Sequence, residues 1–418
     1  MRKILIVAFH FPPHAGSSGL LRALKFCRHL PENGWQPVVL TASPRAYEKL
    51  DWTQVGEIPP GMRVVRAFAL DAQRHLALRG RYPRWAALPD RWVSWCLGAI
   101  PSGLFAIYRQ RAEVIFTTFP IATSLLIGWT LHRLTGRPWV VDLRDSMTEE
   151  DYPRDPLTRR FYRWIERQAV HRGARLIFTA RSTIRMYLQR YPELRPEKCL
   201  LIPNGYDERD FWSLVPWQLR DNHSGGPLYL LHMGVLYPEE RDPVPFFQAL
   251  RRLKTEGRVN AAQLRVGLRA AGSEEYHAAK IRQLGIEDLV ELLPALPYHQ
   301  ALQEGAHADG LLLFQGASCD HQIPAKAYEY LRLRRPILAL TTQTGDTAAL
   351  LQETHGATIV NLHDAEAIYR ALPDFLASLR RGEHPLPDAH KVMQYNRSNQ
   401  AQALAQCLSQ LVCSETRN

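Results

Sequence analysis

Apolar residues in this chain fall into short unbroken runs separated by longer amphipathic stretches. Ile4-Leu5-Ile6-Val7-Ala8 is the first run. A run without polar alternation is the pattern of a strand buried on both faces of a parallel sheet. The loop HFPPHAGSSG follows, and Ser17 or Ser18 can cap a helix to about Leu30. Gly34 closes that helix, and Pro37–Thr41 is a second strand, completing a βαβ unit. The alternation continues with strands at Val64–Ala67, Val114–Thr117, Trp139–Val141, Arg175–Thr179 and Cys199–Ile202. Pro156–Gly173 reads as a charged helix, and Ser182 caps the next one. Pro216–Pro227, with its Gly225-Gly226 pair, reads as a linker. A second series then places strands at Leu228–His232, Leu264–Leu268, Val290–Leu293, Gly310–Phe314, Ile337–Leu340 and Thr358–Val360. Its helices are Val244–Lys254, Glu275–Leu284, His299–Ala306, Ala325–Leu333 and Asp364–Leu379, the last with a break or kink at Pro373. A final amphipathic helix, Asn399–Leu411, carries Ala403, Leu404, Cys407, Leu408 and Leu411 on one stripe.

Length supports two such α/β halves, because 418 residues exceed one ordinary core. The six cysteines are scattered with no CxxC pair, which argues against a disulfide framework or a zinc site and fits a reducing compartment. MRKILIVAF is too short an apolar run for a signal peptide. Trp92–Tyr108 and Val114–Leu131 fall short of a comfortable membrane span of about 20 residues and read as buried elements.

Charge changes the picture more. The net charge is +11, but residues 1–210 carry +13 and residues 211–418 carry −2. A basic half suits an anionic partner. No zinc finger, RNP-type or helix-turn-helix pattern accompanies the charge, so a nucleic acid is not expected and an anionic membrane surface is favoured. An Arg-rich soluble surface gives the same count. Asp71–Arg91 interrupts the α/β pattern with Arg74, Arg79, Arg81, Arg84 and Arg91 beside Trp85, Trp92 and Trp95. That mixture suits a lipid headgroup region, or a solvated insertion.

Candidate chemistry centres on IPAKAYEYLRLRRPILAL, Ile323–Leu340. Pro324 sits where a helix would begin, at its first position. Lys326 and Glu329 then share one face of the first turns. The helix N-terminus beside Lys326 suits a phosphate, and Glu329 can accept from sugar hydroxyls. An ordinary surface Lys–Glu pair has the same spacing. Gly16 and Gly19 do not make a GxGxxG fingerprint, although their turn can admit a ligand to the backbone. Asp142-Leu143-Arg144-Asp145 ends a predicted strand, where open α/β sheets put their chemistry. Two carboxylates flanking an arginine can bind an acceptor or move a proton, or form a structural ion pair.

IPNGYDERDF (Ile202–Phe211), HMGVLYPEERDP (His232–Pro243) and IPAKAYEYLRLRRPILAL together resemble the signatures of retaining nucleotide-sugar glycosyltransferases of family 4. PWVVDLRD and FHFPPHAGSSG resemble a bacterial surface-polysaccharide branch of that family. The resemblance implies an α/β chain of GT-B fold, two doubly wound Rossmann-like domains facing across a cleft. An acceptor domain spans 1–210, a donor domain spans 222–391, and helix 392–418 packs back on the first. It implies that Glu329 takes the donor's ribose hydroxyls, that Arg241 and Lys326 hold the diphosphate, and that Gly234 and Gly272 let the backbone approach it. Gly16, with Arg144, would line an acceptor and phosphate loop. Asp142, Asp145 and His321 are the candidate catalytic groups. His321 is a departure, because the family carries a glutamate eight residues before Glu329; His321 or Asp320 would have to substitute. No DxD-type motif is evident, so transfer is expected without metal or cofactor, the diphosphate taking the acceptor's proton. The expected partners are a nucleotide-sugar donor, a lipid-linked or polysaccharide acceptor and an anionic membrane surface, with no nucleic acid. The expected location is cytoplasmic, peripheral on the inner membrane. A GT-B nucleotide-sugar epimerase and a catalytically inactive binding partner are the alternatives.

Overall fold

A computed structural model describes residues 1–15, 18–150, 152–214 and 226–415. Gly16, Ser17 and most of the expected linker lie outside the described residues. The chain divides into two compact units: Met1–Pro203 together with the segment from Arg397, and Asn204–Asn396.

The first unit holds seven strands: β1 (Arg2–Val7), β2 (Trp35–Ala42), β3 (Arg63–Ala67), β4 (Val114–Thr118), β5 (Trp139–Leu143), β6 (Arg175–Phe178) and β7 (Cys199–Leu201). They pair in parallel in the order β3-β2-β1-β4-β5-β6-β7. Alternate residues of β1 enter opposite layers. Leu5 and Val7 join one buried cluster, and Ile4 and Ile6 join another. That two-sided burial is why the strand reads as a continuous apolar run. Helices α1 (Ser18–His29), α3 (Cys96–Gln110), α4 (Ala122–Thr135), α5 (Pro156–Arg172) and α6 (Arg181–Arg190) cover the sheet, and α2 (Ala72–His75) is a single turn inside the Arg- and Trp-rich insertion.

The second unit holds β8 (Leu228–Met233), β9 (Leu264–Arg269), β10 (Val290–Leu293), β11 (Gly310–Phe314), β12 (Ile337–Leu340) and β13 (Ala357–Val360). Their order is β10-β9-β8-β11-β12-β13, again all parallel. Leu312 and Phe314 face one layer, Leu311 and Leu313 the other. The helices are α7 (Pro238–Arg241), α8 (Val244–Thr255), α9 (Glu274–Leu284), α10 (Tyr298–His307), α11 (Ala325–Leu333), α12 (Asp346–Thr354), α13 (Ala365–Arg381) and α14 (Ala389–Met393).

The last helix, α15 (Arg397–Glu415), packs on the first unit. Leu404, Cys407, Leu408 and Leu411 enter the cluster that holds Ile4 and Phe26, and Trp35 Nε1 donates to Ser409 Oγ at 3.1 Å.

Three local expectations differ. Ser182 lies inside the first turn of α6, and the N-cap is Ala180. Pro324 is the N-cap of α11 with extended ψ of 136°, and its carbonyl accepts the first bond, from Ala327 at 2.9 Å. The helix α13 continues through Pro373. A mid-helix proline costs about 3 kcal/mol. Ile368, Leu372, Phe375, Leu376 and Leu379 are all buried from that helix, at roughly 1.5–3 kcal/mol each, which outweighs the loss.

One buried ion pair ties three parts of the first unit together. Arg22 on α1 and Asp142 on β5 are 2.8 Å apart (Nη2 to Oδ1), each with about 1% of its side chain exposed. Arg22 Nε donates to Asp142 Oδ2 at 3.0 Å, and its remaining donors reach the Ile202 and Pro203 carbonyls at 2.9 Å. Breaking such a pair leaves a charge without compensation. Arg22→Met is expected to destabilise the protein by about 3–5 kcal/mol, and Arg22→Met with Asp142→Leu by much less. Denaturant unfolding of the two variants measures both, and equal losses would contradict this account.

Candidate active site

In each unit the chain winds outward from its first strand, then returns to the other side of it. The switch points are therefore β1/β4 and β8/β11. At a switch point the loops leaving the two central strands diverge, which opens a crevice at their carboxyl ends.

In the second unit that crevice collects most of the expected donor groups. Gly234 follows β8 directly, at φ +104°, and its N–H donates to the Arg269 carbonyl at 2.8 Å. A Cβ there would stand 2.9 Å from Lys326 Nζ, so only glycine lets the turn lie over that amine. Lys326 is the second residue of α11, beside the N–H groups that have no acceptor inside the helix. Arg241 ends α7; it bonds Glu240 at 2.8 Å and lies over the Tyr237 ring at 5.5 Å. Its Nε is buried without a hydrogen-bond partner, an opening for an anionic ligand. Glu329, half-buried one turn beyond Lys326, accepts from Tyr298 Oη at 2.8 Å. Gly272, at φ +64° after β9, packs beside Val235, which follows Gly234 in the turn after β8.

Two groups that sequence spacing does not reveal hold this arrangement. His232 is buried on β8, with Nδ1 2.8 Å from the Leu312 carbonyl and Nε2 2.9 Å from the Gly234 carbonyl and 3.1 Å from Lys326 Nζ. Burial, then Lys326, pushes its pKa well below the ordinary imidazole value, so the ring is neutral beside the lysine. Tyr330 Oη accepts from the Met233 N–H at 2.8 Å, pinning α11 to the end of β8. Their signal in the sequence was only an apolar strand and an apolar helix face.

Burial and then the nearby Arg241 pull Lys326 down to about 7, with Glu329 opposing. The unfolded chain holds that proton more tightly, so the depressed lysine costs stability below neutrality, and the cost fades as pH rises.

His321 lies in the loop after β11, half-buried, its Nε2 3.3 Å from the Gln322 amide. The neighbouring Asp320 is used structurally: its carboxylate accepts from Thr342 Oγ1 at 2.5 Å, and its carbonyl accepts from the Asp346 N–H.

The first unit treats its candidates differently. Asp142 is part of β5 rather than its exposed end, and is fully buried. Arg22 takes both its oxygens, and Thr118 Oγ1 donates to Oδ2 at 3.0 Å. A carboxylate sealed in this way has no path to a substrate proton, so the expectation of a catalytic Asp142 gives way to a structural one. Asp145, three residues on, is half-buried; burial lowers the pKa of Arg144, and Asp145 opposes that shift. Arg144 Nε donates to the Phe119 carbonyl at 2.7 Å, and its other nitrogens lie against Gly19, where a Cβ would come within 2.6 Å. That packing brings a guanidinium to the start of α1. Gly16, in the turn before it, lies outside the described residues. His10 and His14 stack beside this arginine with ring centroids 4.5 Å apart. Burial, then His14 and Arg144, holds His10 at about 3, and burial lowers His14. This neutral pair had no place in the sequence-based expectations.

The comparisons agree with the sheets. A sucrose-phosphate synthase from Thermosynechococcus elongatus superposes with a TM-score of 0.68 at 15% identity, over 99% of this chain and 100% of that one. Anabaena HepE, solved with UDP and glucose, gives 0.66 at 15% identity over 98% and 100%. The fold is GT-B. WaaG, a glycosyltransferase involved in lipopolysaccharide biosynthesis, shares the GT-B architecture with a TM-score of 0.61 at 15% identity, over 96% of this chain and 95% of that one. Residues 21–205 match the model of the Glycosyl transferase 4-like domain. No curated protein matches in sequence. Residues 21–205 are thus similar to that domain, and the solved structures show the fold.

Affinity for a nucleoside diphosphate is expected to fall as pH rises through about 7, where Lys326 loses its proton, by up to about tenfold per pH unit. Lys326→Arg keeps its charge and should flatten the curve. Calorimetric titration of both proteins across neutrality tests this; parallel curves would remove Lys326 from the response.

Proposed function

We propose that this protein is a glycosyltransferase that moves a sugar from a nucleoside-diphosphate sugar to a lipid-linked or polysaccharide acceptor, with retention and without a metal. The observation that carries this reading is the gathering of Lys326, Arg241, a helix N-terminus and Glu329 where β8 and β11 end. A departing diphosphate needs its developing charge met, and preorganised cations and N–H groups do that at low reorganisation cost. Lys326 and Arg241 take the diphosphate, Gly234 and Gly272 admit it to the backbone, and Glu329 accepts from the ribose hydroxyls.

In the proposed reaction the bond from the anomeric carbon to the diphosphate oxygen breaks. The acceptor oxygen bonds to the same face of that carbon, and its proton passes to the departing diphosphate. No protein nucleophile is needed, which fits an Asp142 occupied by Arg22. His321 and Asp145 are the remaining candidates for touching the transferred sugar and the acceptor, with Arg144 binding an acceptor anion. HepE is solved with UDP and with UDP-glucose, which makes uridine the first donor base to test. The part of WaaG in lipopolysaccharide biosynthesis supports a surface-glycan acceptor presented at a membrane, with the protein peripheral on its cytoplasmic face.

Thermal unfolding of wild type and Glu329→Ala with UDP, GDP, ADP and TDP tests the donor site. A nucleotide at about 100 times its Kd adds roughly 2.7 kcal/mol of stability. Stabilisation of the wild type by one nucleotide, lost in Glu329→Ala, is the expected result. Equal stabilisation of both proteins would displace Glu329 from the site. Nucleotide binding without sugar transfer to any lipid-linked glycan would instead indicate an inactive binding partner.

A further inference from the structure

Residues 72–89 contain Arg74, Arg79, Arg81, Arg84 and His75, and neither Asp nor Glu. The segment is a loop of the first unit. At its base the Ala72 N–H donates to the Arg91 carbonyl at 2.8 Å, and Arg91 Nε lies 3.4 Å from Asp71 Oδ2. Ala72 and Ala86 are buried there. A loop closed at its stem in this way is a compact surface element rather than a loose connection.

Its tip is a two-residue hairpin. Leu78 and Arg81 exchange both backbone hydrogen bonds, at 2.8 and 3.1 Å, and Arg79 and Gly80 have φ of +52° and +77°. Such turns favour Asn or Gly at both central positions. Here an arginine occupies one of them, so the charge is kept against local preference. Leu78 is 80% exposed and Trp85 77%, and Leu76 and Tyr82 are also exposed. Single exposed apolar side chains are ordinary. Four within ten residues, on a rigid tip, are not. Arg84 pairs with Asp155, and Arg74 donates to the Tyr47 carbonyl at 2.5 Å. Among the described residues no carboxylate pairs with Arg79 or Arg81. The tip therefore offers apolar side chains at its extremity and uncompensated guanidinium groups around them.

An anionic bilayer surface matches both features. Leucine and tryptophan gain from the boundary between headgroups and acyl chains, while arginine binds lipid phosphates. A nucleic acid would match the charge but leave Leu78 in water.

We propose that residues 76–85 form a lipid-docking tongue, with Leu78 and Trp85 entering the interface of an anionic bilayer and Arg79 and Arg81 lying against its phosphates. This deepens the membrane part of the proposed function and rests on it, and it is separate from the donor site, since the tongue belongs to a different unit from Lys326 and Glu329.

Sedimentation of the full chain with phosphatidylcholine vesicles, with and without phosphatidylglycerol, tests the proposal. Binding is expected only to the anionic vesicles, and it should weaken as salt rises. Arg79→Gln with Arg81→Gln should weaken it by roughly fivefold for each arginine removed. Leu78→Ser with Trp85→Ser should abolish vesicle binding while retention on heparin stays unchanged. Leu78→Ile with Trp85→Phe should bind like wild type, which separates lipid contact from any loss of folding. Anionic vesicles left unbound by wild type, or bound equally by the Leu78→Ser, Trp85→Ser protein, would overturn the proposal. Tighter binding to single-stranded RNA than to vesicles would also overturn it and assign the tip to a nucleic acid.

Discussion

Parallel pairing is the constraint on which the rest of this structure depends. Because every strand pairing in both sheets is parallel, all the strands of a sheet end at the same edge. Each crossover must return the chain to the opposite edge through a helix, so both faces of the sheet become buried. Chemistry then has one place to go, the loops at the carboxyl ends, and it concentrates where the winding reverses. Gly234 after β8 and the loop leading to α11 after β11 occupy that place.

Electrostatics decides what those loops can do. Lys326 and Arg241 stand near each other with Glu329 as the carboxylate that favours the lysine's charge. Arg241 is itself paired with Glu240 at 2.8 Å, while its buried Nε has no hydrogen-bond partner. The first unit shows the opposite arrangement. Asp142 and Arg22 neutralise each other in the core and leave no capacity for a ligand. Charge in the interior therefore takes two forms here, Lys326 beside Arg241 where β8 and β11 end and one pair that holds α1 to β5.

Much of the fold was legible in residue order. The strands Val290–Leu293, Gly310–Phe314 and Ile337–Leu340 and the helix Ala325–Leu333 have the bounds that their apolar patterns predict. Those patterns are strong because burial on two faces demands apolar residues at every position of a strand. Helix starts were less legible. Pro324 and Ser182 each sit one or two places from their expected roles, because several residues near a helix start can satisfy its free N–H groups. No break occurs at Pro373, because local propensity does not count the five apolar side chains that its helix buries.

By itself, the sequence determined the alternation of strands and helices in two series and the placing of Lys326 and Glu329 on one face of one helix. These follow from period and spacing, which are local. Only the tertiary structure decided which charged groups meet. Arg22 and Asp142 are separated by 120 residues, and His232 and Lys326 by 94, yet each pair is in direct contact. The Asp142-Leu143-Arg144-Asp145 motif reads as one cluster of charges. Asp142 is instead buried against Arg22, and Arg144 lies against Gly19 at the start of the same helix, α1. Which face of a strand a side chain takes, and what distant residue waits there, depends on packing between layers, and no local pattern records it.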